Sequence, residues 1–190
     1  ADGEDENTLK AAIAFKNSKL GVPILVGKES KIKEQIKHIG YSENFDIEIV
    51  NSKSKEKIEK YSKYIFNKLH GDKGELEPDV FELYSRDCNK LIRKDRVVWG
   101  SCMVSCGDVD AMVTGNTRRY GQSLDKVLKV VNSRPGEIMF GLNMIINKGR
   151  TIFIGDTSVH EYPSSEQMAE IAMSAARVVR LFGFTPKVAF

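Results

Sequence analysis

The spacing of apolar positions changes several times along this chain, and each change marks an element. Leu9, Ala12 and Ile13 recur at helical spacing behind an acidic run, so a first helix is expected over 5–19. Acidic residues in its first turn complement the helix dipole. Gly21 ends it, and the apolar run 22–27 reads as a compact strand with Pro23 tolerable near its start. Ile32, Ile36 and Ile39 predict a second helix over 30–39, stopped by Gly40, and residues 45–50 alternate as a half-buried strand. A longer helix over 54–69 carries Ile58, Tyr61, Ile65 and Leu69 on its inward stripe. The turn-rich stretch 71–78 breaks the pattern. A helix from Asp79 then carries Val80, Leu83, Tyr84, Leu91 and Ile92, and 97–106 is a further helix, buried on most sides, with Trp99, Met103 and Val104.

The stretch around which this pattern turns is 108–120. Ala111, Met112 and Val113 form an apolar run too short for a helix and closed by Thr114-Gly115, which reads as a buried strand ending at a glycine turn. From Leu124 the period becomes helical, with Leu124, Val127, Leu128 and Val131 on one face. Between strand end and helix sit Thr114, Gly115, Asn116, Thr117, Arg118, Arg119 and Tyr120. In an open α/β sheet, ligands bind outside the carboxyl ends of the strands. Planar guanidinium groups hold phosphate oxygens bidentately, so the two arginines suit a phosphate-bearing ligand. A solvated loop with an ordinary ion pair fits the same residues, and spacing alone leaves both readings open. Thr114, Gly115 and Asn116 are expected to shape the loop, with Gly115 supplying positive φ or close approach. Tyr120 serves for packing or for stacking on a base.

Residues 132–136 (Asn-Ser-Arg-Pro-Gly) are the clearest punctuation in the chain, so a hinge is expected there, with a first domain over 1–133 and a second beginning at 134. Beyond it, 138–146 and 151–154 read as two strands around a turn at 147–150, more like an antiparallel hairpin than a βαβ unit. A polar loop follows with Asp156 and Thr157, then His160 beside Glu161 as a surface pair or a general base. Ser164 with Gln167 makes a capping box for a helix with Met168, Ile171, Ala175, Val178 and Phe182 inward. Gly183 ends that helix and 187–190 begins a further strand. A strand opening in the last four residues, and a helix start almost at residue 1, lead us to expect a piece of a longer protein with an incomplete second domain.

Charge and composition narrow the partners. With 29 basic against 26 acidic residues, net charge is only +3, which does not argue for nucleic acid. No apolar run approaches bilayer length and no signal peptide opens the chain, so a cytoplasmic location without membrane contact is expected. Cys88, Cys102 and Cys106 lack clustered histidines, so reduced thiols and no metal site are expected.

The order of motifs resembles that of the phosphotransacetylases (phosphate acetyl- and butyryltransferases). The acidic run 2–6 opening a helix is similar to the segment after that family's first strand. Gly107-Asp108-Val109-Asp110-Ala111-Met112-Val113-Thr114-Gly115 resembles its glycine–acid–Ala–Asp–apolar–Ser/Thr–Gly signature. Arg134-Pro135-Gly136 resembles its Pro-Gly hinge, and 186–189 its later strand. Residues 86–92, Met103-Val104, Thr117-Arg118-Arg119-Tyr120, 153–157 and the helix start at 163–170 look like one branch, the C-terminal phosphotransacetylase domain of multidomain NADP-dependent malic enzymes. The likeness covers nearly the whole chain in the right order.

It implies an α/β, two-lobed architecture related to isocitrate and isopropylmalate dehydrogenases, with a three-layer αβα first domain. In that family acetyl-CoA and phosphate bind between the lobes, and phosphate attacks the thioester carbonyl to give acetyl phosphate and CoA. The chemistry needs cationic groups for the phosphate and the oxyanion, and a group to manage the thiol proton. The family's Ser-Arg pair and Asp follow the strand equivalent to 187–190 and are not among these residues. Two further family arginines correspond to Leu69-His70-Gly71, with His70 or a neighbour at the arginine position, and to Asp125. The implied role is a regulatory acetyl-CoA-binding domain with no catalytic residue assigned. The alternatives are a competent phosphate acetyl/butyryltransferase and an oligomerisation module. Thr114, Gly115, Asn116, Thr117, Arg118, Arg119, Tyr120, Asp156 and Thr157 are the ligand-binding candidates. The resemblance implies no cofactor in this piece, acetyl-CoA as effector or substrate, and NADP with a divalent metal in a malic-enzyme domain of the same parent. Expected partners are acyl-CoA, phosphate, that catalytic domain and further copies in a homo-oligomer.

Overall fold

The computed structural model describes residues 1–41, 46–51, 54–70 and 78–190, with side chains described outside 70 and 78–81. Residues 71–77 of the expected break at 71–78, the strand start at Phe45, and the side chains of His70 and Val80 lie outside that set, while Pro78 already opens a helix. The chain separates into two compact units, Ala1–Asn132 and Ser133–Phe190.

Unit one runs α1 (Glu6–Asn17), β1 (Ile24–Val26), α2 (Glu29–His38), β2 (Glu48–Val50), α3 (Lys55–His70), α4 (Pro78–Lys94), α5 (Arg96–Ser105) and α6 (Tyr120–Leu128). Strands β1 and β2 pair in parallel, Ile24 opposite Glu48 and Val26 opposite Val50, with α2 as the crossover. Because side chains alternate along a strand, the short sheet buries both faces. Leu25 faces Leu9, Ile13, Ile32 and Ile36 of α1 and α2. Val26 and Val50 face Ile58, Tyr61, Ile65, Ile92 and Trp99 of α3, α4 and α5. Helices on both faces make three layers, the α/β arrangement expected from the sequence.

Helix α5 is the buried one. Val97, Val98, Trp99, Gly100, Ser101, Cys102 and Met103 are all inaccessible, as befits a helix apolar nearly all round. Its N-cap is Asp95, whose carboxylate accepts from Val97 N at 2.9 Å. Trp99 meets Tyr61 edge-on, with ring centroids 5.0 Å apart. In α4 the inward residues are Cys88 and Ile92, while Leu83 and Tyr84 turn outward, contrary to the stripe expected from spacing.

The strand expected at 111–113 does not form. Those residues carry no strand pairing, and Val113 is 86% exposed. A strand exists only through its ladder partner. Among the described residues, the backbone contact made by this run is Ala1 N donating to Val113 O at 2.6 Å. The strand expected at 187–190 is likewise unpaired, for the same reason.

Unit two holds β3 (Leu142–Asn147), β4 (Arg150–Gly155) and α7 (Ser165–Leu181). The strands pair antiparallel from Leu142–Gly155 to Asn147–Arg150, the expected hairpin. Its two-residue loop has φ of 46° at Lys148 and 78° at Gly149, the double positive φ that suits a hairpin's twist. The capping box of α7 is present as the sequence predicts: Ser164 Oγ accepts from Gln167 N at 3.3 Å, and Ser164 N donates to Gln167 Oε1 at 2.8 Å. Phe153 of β4 packs against Phe182 and Phe184 at centroid distances of 5.8 and 5.9 Å. The buried face of α7 is Ile171, Ser174 and Val179, rotated from the expected stripe, so Met168 remains partly exposed. Among the described residues no helix is long and apolar enough to cross a membrane.

Candidate functional site

Two polar loops, one in each unit, carry all the candidate residues. In unit one, α5 ends at Ser105 with Cys106 as its C-cap, and the chain turns through Gly107 with φ of 74°. Asp108 is held by Lys60 Nζ and the Tyr61 hydroxyl, each at 2.5 Å. The Lys60 hydrogen bond, then that of Tyr61, keeps the Asp108 carboxyl below its usual range.

Past the irregular 111–113 segment the loop folds over Asp2. Gly115 N and Asn116 N donate to Asp2 Oδ2 at 3.0 and 3.3 Å, with Thr114 Oγ1 at 3.5 Å from the same oxygen. Thr117 Oγ1 donates to Asp2 Oδ1 at 2.6 Å. Gly115 has φ of 109°, so the positive φ expected there is present. Asp2 is only 7% exposed. Burial by itself raises its carboxyl pKa, but the bonds from Thr117 and Gly115 outweigh that and hold it low.

Arg118 turns to Asp95, its Nη1 lying 2.9 and 3.1 Å from the two carboxylate oxygens. The N-cap of α5 is therefore also the arginine's partner. Arg119 is exposed at the N-cap of α6 and has no side-chain partner among the described residues. Tyr120 begins α6 and is 54% exposed. The structure thus engages Thr114, Gly115, Asn116 and Thr117 with Asp2, pairs Arg118, and leaves Arg119 and Tyr120 open to a ligand.

The sequence marks three residues here, Asp2, Glu4 and Asp5, only as the acidic opening of a helix. Besides Asp2, Glu4 accepts from Arg96 Nη2 at 2.6 Å and from Lys28 N at 2.8 Å. Asp5 caps α1 through Thr8 N at 2.8 Å and accepts from Asn116 Nδ2 at 2.5 Å. Apart from the Asp5 cap on Thr8, which is a local N-cap signal, their partners are 24 to 115 residues away, and nothing in the neighbouring sequence announces them. Asp95 was findable, since Asp directly before the run 97–99 is an N-cap signal.

In unit two, Asp156 Oδ1 accepts from Gly141 N at 2.7 Å, Ser158 N at 3.0 Å and Val159 N at 3.1 Å. Its Oδ2 accepts from His160 N at 2.9 Å and pairs with His160 Nδ1 at 2.8 Å. The side chain is 2% exposed. Burial pushes its pKa up, but the backbone bonds from Ser158 and Gly141, with those of His160, overcome that and keep the carboxyl well below the usual range. His160 therefore partners Asp156 rather than the neighbouring Glu161 that spacing suggested. Thr157 N donates to Gly141 O at 3.2 Å. Gly141 is required here: a Cβ on it would sit 2.6 Å from Ser158 Oγ and 2.8 Å from Thr157 Oγ1. The His160 ring lines a groove of about 610 Å³ walled by Ile171, Ala175 and Phe184.

Comparison with known proteins places these loops in a family. The chain is 35% identical over its full length to a probable NADP-dependent malic enzyme of Rickettsia prowazekii, and 34% identical to an NADP-dependent malic enzyme of Rhizobium meliloti. It spans 24% of the length of each. A phosphate acetyltransferase of Nitratidesulfovibrio vulgaris is 26% identical over 99% of the chain, which spans 25% of it. The fold matches the crystal structure of a phosphotransacetylase from Streptococcus pyogenes with a TM-score of 0.82 at 21% identity, over 98% of this chain and 54% of that one. A Staphylococcus aureus phosphotransacetylase gives 0.79 at 23% identity, over 97% and 53%. Residues 1–190, the whole chain, match the phosphate acetyl/butyryl transferase family model, and the chain belongs to that family.

Proposed function

We propose that this chain is a non-catalytic, acetyl-CoA-responsive phosphotransacetylase-like domain of an NADP-dependent malic enzyme. Similarity over the whole of this chain to about a quarter of two malic enzymes, at 35% and 34% identity, supports that setting. The observation that carries the reading is the engagement of Arg118 and of the donors of 114–117 by the chain's own carboxylates. Attack of phosphate on a thioester needs unpaired cationic groups at the developing oxyanion. Here Arg118 faces Asp95, the donors of 114–117 face Asp2, and α6 carries the acidic Asp125 on its exposed surface. Arg119 is left to meet a pyrophosphate, and Tyr120 to stack on a base. One open guanidinium suffices to hold a nucleotide and falls short of the machinery for acyl transfer. In this reading Asp156 and Thr157 shape their own loop. The bound effector must favour one of two states of the parent assembly, since equal affinity for both shifts nothing.

The test is made on the longest natural chain carrying these residues. Arsenolysis and acetyl phosphate formation stay at the buffer rate, while calorimetry with acetyl-CoA gives a saturable heat. Loss of one charge-assisted contact in Arg119→Ala weakens that binding about tenfold. Turnover well above buffer that disappears in Arg119→Ala overturns the reading in favour of a working acyltransferase. Absence of any binding heat leaves an assembly module.

A further inference from the structure

The donors that loop 114–117 turns inward form an anion site, and the anion in it belongs to the chain itself. Two consecutive N–H groups, Gly115 and Asn116, aim at one carboxylate oxygen of Asp2 at 3.0 and 3.3 Å. Thr117 Oγ1 takes the other oxygen at 2.6 Å. Successive amides around a residue of positive φ make a concavity that fits any carboxylate or phosphate oxygen. Nothing in its geometry is particular to aspartate.

We infer that this loop is an anion receptor held shut by Asp2, and that a phosphate- or pyrophosphate-bearing ligand enters it by displacing that carboxylate. The inference rests on the ligand loop assigned under the proposed function and adds how that loop is regulated. It also reconciles two facts about Thr114, Gly115, Asn116 and Thr117. Their chemistry suits a ligand phosphate, and their donors are occupied.

Displacement has consequences beyond the loop because of what sits beside Asp2. Glu4 joins Arg96 at the start of α5 to Lys28 N, the residue before α2. Asp5 caps α1 and holds Asn116 of the same loop. Residues 2–5 are therefore a joint at which the N-terminal ends of α1, α2 and α5 meet loop 114–117. A ligand that expels Asp2 loosens that joint and converts a local exchange of anions into a rearrangement of unit one. The device distinguishes states, as an effector must, because ligand and Asp2 cannot occupy the nest together.

Calorimetry with inorganic pyrophosphate and with acetyl-CoA tests this on the longest natural chain, comparing the native sequence with Asp2→Asn and Glu4→Gln. Apparent affinity is reduced by the fraction of receptors that are open, so both variants bind pyrophosphate about tenfold more tightly than the native chain. Pyrophosphate also speeds amide exchange at residues 3–5 of the native chain. Unchanged or weaker binding by folded variants overturns the inference, as does slower exchange at 3–5. Should Asp2→Asn fail to fold, Glu4→Gln and the native exchange pattern decide alone, since neither removes a donor from the nest. A pyrophosphate gain without acetyl-CoA binding by any form keeps the inference and removes the acetyl-CoA reading. Equal acetyl-CoA binding by all three forms with no pyrophosphate gain does the reverse.

Discussion

Loops 114–118 and 156–160 solve the same problem with different partners. Each gathers backbone N–H groups and a hydroxyl or imidazole around one buried carboxylate. In unit two the carboxylate, Asp156, takes four of its five bonds from the three residues Ser158, Val159 and His160, with Gly141 N supplying the fifth. In unit one the carboxylate is Asp2, and its donors are 112 to 115 residues away. A carboxylate within its own loop is fixed by local backbone geometry and leaves only if the loop unfolds. One delivered from a distant segment can be exchanged for another anion with the loop intact. The difference separates a structural loop from a receptor, and several measurements can break or sharpen it.

The largest effect is expected at Asp156→Ala, which takes the shared acceptor from four partly buried or exposed N–H groups and an imidazole, and costs unit two about 3–4 kcal/mol. Amide exchange at 158–160 under mild denaturant reads it, and protection equal to the native chain's would refute the anchoring role. Next comes Gly141→Ala, whose added Cβ meets three oxygens within 3.1 Å and costs about 2–3 kcal/mol by the same readout. Asp2→Ala is milder at about 2 kcal/mol, because water and solution anions replace the lost carboxylate in a loop that is partly open. Trp99 is the chain's single tryptophan and lies in the core of unit one, so its fluorescence during urea unfolding follows that unit alone. Added pyrophosphate restores part of the loss at Asp2→Ala and none at Asp156→Ala.

Acid should separate the two loops without mutation. Both carboxyls are held below their unfolded value, so each contributes stability that is complete above about pH 4 and declines as pH falls through its folded pKa. Asp156, with five donors and 2% exposure, outlasts Asp2. Between about pH 4 and pH 2, amides at 115–116 lose protection before those at 158–160. The reverse order would contradict the geometry. Smallest is Arg118→Ala, which removes a partly exposed ion pair and costs under about 1 kcal/mol, while Asp95→Ala also uncaps α5 and costs more.

What the sequence determined by itself is what short-range physics sets. Helical stripes placed α1 through α3 within a few residues, since burial of one face every 3.6 residues needs no knowledge of the partner. Lys148-Gly149 set the hairpin register, and Ser164 with Gln167 set the start of α7, because both signals act over two to four residues. Asp95 was legible by the same rule. The tertiary structure alone decided what bonds to what at long range. Whether 111–113 and 187–190 become strands depends on a ladder partner, which no property of those residues supplies. Which face of α4 and α7 turns inward depends on the helices and strands packed against them. Arg118 meets Asp95, and loop 114–117 meets Asp2, through contacts 23 and more than a hundred residues apart in the chain. A carboxylate more than a hundred residues away becomes a neighbour through the fold, and composition or spacing carries no trace of it.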